Sequence, residues 1–102
     1  MKNEELKERI ILETQRSLWN RITPQIRAVS FTVTDEEIVI YIYTDGEIPE
    51  EEKEDLDIIG TEVVAGIIDL RMKDVRIVRV DSPQKIPVTG ELVYLRKEKI
   101  NL

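Results

Sequence analysis

Between Asn3 and about Ile22 the apolar side chains recur at steps of three and four: Leu6, Ile10, Ile11, Leu18 and Ile22 share one side, with Glu5, Arg9, Glu13, Arg16 and Asn20 opposite. That spacing predicts an amphipathic helix. Leu12 and Trp19, seven apart, fall on the margin of the stripe, where they either widen the buried face, the reading we favour, or form an apolar strip at the surface. Thr23 and Pro24 stop the helix, since proline has no amide hydrogen and pushes the residue before it out of the helical region. The period then falls to two. Val29, Phe31 and Val33 alternate with Ala28, Ser30 and Thr32, and Ile38, Ile40 and Ile42 alternate with Val39, Tyr41 and Tyr43. Two strands joined through Asp35 and Glu36 make a hairpin, whose valine, phenylalanine and isoleucine face is expected to meet the helix.

Pro49 opens a second helix, where a missing amide hydrogen costs nothing. Its buried stripe is Leu56, Ile59, Val63, Val64, Ile67 and Ile68. Gly60 lies within that stripe and costs about 1 kcal/mol relative to alanine, which predicts a close approach to the sheet. A third strand is expected at about Val75 to Val80 and a fourth at about Leu92 to Arg96, separated by SPQKIPVTG, whose prolines and glycine exclude regular structure. The expected fold is therefore α+β, a two-layer sandwich of order αββαββ, with two helices on one face of a four-stranded, mainly antiparallel sheet. No linker or composition shift divides the chain, so residues 1–102 are expected to form one domain.

Composition narrows the chemistry. The chain has no cysteine and no histidine, which removes disulfides, thiolate nucleophiles, sulfur-ligated zinc and the commonest general base. Its three serines thus lack a histidine partner, and its four glycines form no phosphate-cradling motif. Gly46 directly after Asp45 breaks the calcium-loop pattern, so neither a metal nor a cofactor is expected. No stretch reaches the length of a membrane span, and the charged start MKNEELKERI is unlike a secretory leader, so a cytoplasmic location is expected. A net charge of −6 argues against nucleic acid, which demands clustered lysine and arginine.

The residue types point instead to a surface. DGEIPEEEKEDLD, residues 45–57, holds eight carboxylates and one lysine. Glutamates in a first turn are stabilised by the helix dipole, by about 0.3 to 1 kcal/mol each, but that effect fades after one turn. Asp45 and Glu47 precede the turn, and Asp55 and Asp57 follow it. Such a field speeds and orients encounter with a basic protein. The candidate partner-binding residues are Asp45, Glu47, Glu50, Glu51, Glu54 and Asp55, with Tyr41 and Tyr43 as anchors that carboxylates cannot supply. Two alternatives stay open. One is a homodimer through the Tyr41 and Tyr43 face or the Leu12 and Trp19 strip; the other is a carboxylate enzyme using a divalent cation.

Four segments, ITPQIRAV, YIYTDGEIPEEEKE, TEVVAGI and GELVYLRKE, together resemble short bacterial immunity proteins of colicin-type and contact-dependent inhibition toxins. The resemblance spans nearly the whole chain; Pro49 stands where a capping serine or threonine is expected. It implies a non-enzymatic, cytosolic inhibitor that binds a toxin's catalytic domain and blocks its active site or substrate channel. Toxic nucleases must attract phosphate, so an acidic inhibitor is complementary to them. The resemblance carries no binding residue across; the candidate positions rest on charge.

Overall fold

A computed structural model of the chain describes residues 3–98. The order is α1 (Asn3–Ser17), β1 (Ile26–Thr34), β2 (Glu37–Thr44), α2 (Glu50–Ala65), β3 (Arg71–Arg79) and β4 (Glu91–Leu95). The strands form one sheet in the order β3-β2-β1-β4. It is a mixed sheet: β1 pairs antiparallel with β2 and with β4, whereas β2 and β3 run parallel. The parallel pair arises because α2 returns the chain to the end of the sheet where β2 began, the connection such a pair requires.

The hairpin forms as its alternation predicts. Asp35 and Glu36 both adopt positive φ, 52° and 66°, the combination whose twist matches that of the flanking strands. Register pairs Val29 with Ile42, Phe31 with Ile40 and Val33 with Ile38. This face packs with Ile10 and Leu18 of the first helical segment and with Leu56, Ile59 and Val63 of α2 to make the main core.

Several expectations are corrected. α1 ends at Ser17, short of Ile22: Trp19 and Arg21 amides bond back three residues, to Arg16 and Leu18, and Asn20 takes a φ of 67°. The tightened turn throws Trp19 outward, 71% exposed, and Leu12 and Ile22 are exposed as well. The α2 stripe holds at Leu56, Ile59, Val63 and Ile67, but the helix stops at Ala65, leaving Ile68 87% exposed. β3 starts four residues earlier than its apolar run, because Arg71 to Asp74 pair with β2 through backbone bonds that polar side chains do not prevent. β4 begins at Glu91, one residue early.

The sheet's second face is covered too. The connector from Ser82 to Gly90 crosses it on the way from one edge strand to the other, and Ala28, Tyr43, Val80 and Ile86 form a smaller apolar cluster there. Buried Ser30 donates to the carbonyl of Thr89 at 2.7 Å, and the Thr89 amide donates to the Tyr43 hydroxyl at 2.9 Å. Gly90 is required: its φ is 79°, and a Cβ there would run into the Phe31 carbonyl oxygen. Arg27 fastens the arrangement. It is fully buried, and its guanidinium donates to the carbonyls of Val80 and Gln84, at 2.7 and 2.8 Å, and to both carboxylate oxygens of Glu98. Among the described residues no buried side-chain polar atom lacks a partner, as burial without compensation would cost stability.

Candidate functional site

The acidic segment forms the β2–α2 connector and the first two turns of α2. Pro49, extended with φ −63° and ψ 153°, leads in; its carbonyl accepts the amides of Glu52 and Lys53, and no side chain caps the helix. The first-turn glutamates therefore face uncapped amides, where negative charge is favoured. α2 sits closely on the sheet because position 60 is glycine: a Cβ would lie 2.7 Å from Val75 Cγ2 and 3.0 Å from Met72 Cε.

The structure divides the candidate carboxylates in two. Asp45 is engaged internally. It accepts the Ser82 amide at 3.0 Å and pairs with Arg96 at 3.2 Å, while Asp81 reciprocally accepts the Gly46 amide at 2.7 Å. Each aspartate thus ties the opposite connector in place. The Arg79 guanidinium and the Gly46 amide together hold the Asp81 carboxyl below its ordinary range. Asp55 pairs with Arg21 at 3.2 Å, and Glu52 accepts the Thr23 hydroxyl at 2.8 Å. Further along α2, Glu62 accepts Ser17 Oγ at 2.6 Å and pairs with Arg21 at 2.7 Å. The Ser17 hydroxyl first, and Arg21 second, hold its carboxyl below the usual value. These bonds fix the turn after α1 to α2.

The others point to solvent. Glu47, Glu50, Glu51 and Glu54 are exposed, as is Asp57. Glu50 has only Lys53, 3.9 Å away, an exposed pair of little energetic consequence. The carboxylates of Glu51, Glu54 and Asp57 have no hydrogen-bond or ion-pair partner among the described residues, whereas the Glu47 carbonyl accepts the Gln25 side-chain amide at 2.9 Å and its carboxylate lies within the electrostatic reach of Arg79.

The tyrosines lie elsewhere. Tyr41 and Tyr43 stack with ring centroids 6.4 Å apart, on the sheet face away from α2. Tyr43 is 1% exposed beneath the connector, so it anchors that segment and offers no contact surface. Tyr41 is half-buried under Arg76, whose guanidinium carbon is 5.8 Å from the ring centroid. Sequence reasoning passed over Arg27, which is buried, and favoured burial for Trp19, which is exposed. Arg27 reads as an ordinary strand charge, and only the position of Glu98 reveals its burial.

Among the described residues no group of three or more carboxylates is placed to hold a metal ion, and no helix is long and apolar enough to cross a membrane. The arrangement is that of a small α+β domain in which the start of α2 is one of the places where exposed carboxylates stand without an ion-pair partner among the described residues. The chain belongs to the MafI2 immunity protein family, whose model matches residues 7–98. It is thereby an immunity-type inhibitor, and its partner is a toxin. No curated protein sequence matches it significantly. Among solved structures, a single-residue variant of MamM-CTD is 19% identical over 78% of this chain and 99% of that one, with a TM-score of 0.46. The copper form of MamM CTD is 18% identical over 87% and 93%, also with a TM-score of 0.46. Likenesses this distant add nothing to the family match.

Proposed function

We propose that the protein neutralises its toxin by non-catalytic binding, laying the outer face of the α2 start against a basic face of the toxin's catalytic domain. Glu47, Glu50, Glu51 and Glu54 make the principal contacts. Asp55 contributes at the margin, and Asp45 mainly holds the connector in shape. One observation carries this reading: these glutamates stand exposed, Glu51 and Glu54 with no partner and Glu50 with only a loose lysine contact, while their neighbours in the same segment are consumed by Arg96, Arg21 and Thr23. A family member that spends charge this way is suited to a cationic partner. A nuclease fits best, because its substrate channel must already be basic, and the cytoplasm is where such a toxin meets nucleic acid.

The test replaces Glu50, Glu51 and Glu54 together by glutamine and follows binding to the inactivated catalytic domain of its cognate toxin. Association is expected to slow by about tenfold or more at low salt and to lose most of its ionic-strength dependence. An association rate and salt dependence equal to those of the unmodified chain would refute the acidic contact.

A further inference from the structure

The turn that ends α1 early creates a second surface. Leu18, Trp19 and Ile22, with Val93 and Tyr94 of the edge strand β4, line an apolar groove of about 330 Å³. Nothing inside the molecule requires Trp19 there. It is 71% exposed, and its indole N–H has no acceptor among the described residues. A tryptophan can bury 150–250 Å² in a complex, roughly the span of a central interface anchor. Such anchors work when polar or charged groups surround them and exclude water.

The charge around the groove selects its occupant. On the α1 side the groove is bordered by uncharged Gln15, and Arg16 beside it pairs with Glu13 at 3.5 Å, so that side brings no excess charge. On the other side, Ile22 adjoins Thr23, whose hydroxyl donates to Glu52, and Arg21, which is shared by Asp55 and Glu62. Two carboxylates on one guanidinium leave that side net negative. A second copy of the chain, with its own net charge of −6, would bring like charge to that side of the groove. We infer that the groove beside Trp19 receives an apolar side chain of the toxin, flanked there by lysine or arginine, and so supplies the dry anchor of the interface. This rests on the reading of the partner as a basic toxin domain. It also joins the acidic start of α2 and the groove into one surface through the Thr23–Glu52 bond.

Trp19 is the sole tryptophan, so incorporation of 5-fluorotryptophan gives one fluorine resonance that reports this groove alone. Titrated with the inactivated catalytic domain of the cognate toxin, the resonance is expected to shift and to lose its response to exchange of H2O for D2O. Trp19→Ala is expected to weaken binding by roughly 30-fold or more, equally at low and high salt, as an anchor does. A thermal melt confirms that the variant stays folded, as the exposure of the residue implies. The Glu50→Gln, Glu51→Gln, Glu54→Gln chain is measured in parallel. A loss confined to that triple variant overturns the groove and spares the acidic face, whereas a loss confined to Trp19→Ala overturns the acidic face and supports the groove. If Trp19→Ala only converts a dimer into a monomer in sedimentation, the groove joins copies of this chain and the inference falls. Absence of binding by the unmodified chain overturns both.

Discussion

Gly60→Ala sets two effects of known size against each other at the seat of the acidic helix. Replacing a mid-helix glycine by alanine restricts the unfolded chain and normally stabilises by about 1 kcal/mol. Here the new methyl would lie 2.7 Å from Val75 Cγ2, roughly 1 Å inside the contact distance of two carbons. Met72 Cε, at 3.0 Å, is the end of a flexible side chain and can swing away. Val75 cannot, because it is β-branched and held in β3 opposite Ile40. Overpacking of this kind costs about 1–3 kcal/mol. The overlap therefore wins, and the net destabilisation is expected to be about 1 kcal/mol, or roughly 4–8 °C in melting temperature for a domain near this size. Urea unfolding at neutral pH measures it, and a cycle with Val75→Ala assigns it. Val75→Ala opens the space, so Gly60→Ala in that background should stabilise. If Gly60→Ala alone raises stability by the full propensity gain, with no coupling to position 75, the close seating of α2 is wrong.

Two further predictions concern the far side of the sheet and the paired carboxylates. Arg27→Met leaves the carbonyls of Val80 and Gln84 without their buried donor and should cost about 3–5 kcal/mol; hydrogen exchange should show the 82–90 connector losing protection first, and a loss spread evenly over the fold would contradict its role as a local fastener. Acidification tests Glu98, whose carboxyl is held below the ordinary 4.5 by hydrogen bonds from Arg27 and then Arg96, and Glu62, held below it by Ser17 and Arg21. A lowered folded value means that the unfolded chain binds more protons, so this stability is complete above about 4.5 and is lost as pH falls through the lowered folded values. Glu98→Gln should accordingly flatten the acid limb of stability measured in urea; an unchanged limb would show that Glu98 gains nothing from its partners.

Local features were the most legible in the sequence. The alternation of Val29, Phe31, Ile40 and Ile42 identified the hairpin and its inner face, and Gly60 in an apolar stripe announced the close approach of α2, because each depends on a few neighbouring residues. The parallel pairing of β2 with β3 was missed: strand direction is set by where a helix delivers the chain, and the side chains of either strand would serve an antiparallel partner equally well. Tyr43 was misplaced for a related reason. A segment carrying Pro83, Pro87 and Gly90 reads as irregular connection, yet it covers the sheet once Arg27 and Ser30 supply the donors that the Gln84 and Thr89 carbonyls need. Within the acidic segment the sequence showed an excess of charge but not its division. Which carboxylates are spent internally depends on Arg21, Arg96 and Thr23, each distant along the chain.

The placing of β4 at the open edge of β1 bears on when protection can begin. Ala28 meets Tyr43 nearby in the chain, but its partner on the other side is Leu95, and the ion-pair partner of Arg27 is Glu98. Contacts this far apart in the chain form late and slowly. A nascent molecule can already hold its hairpin and α2, but one flank of β1 stays bare until β4 has been made. The sheet of the antidote is thus complete only in chains whose synthesis has passed β4, and those are the copies able to present the full fold to a toxin.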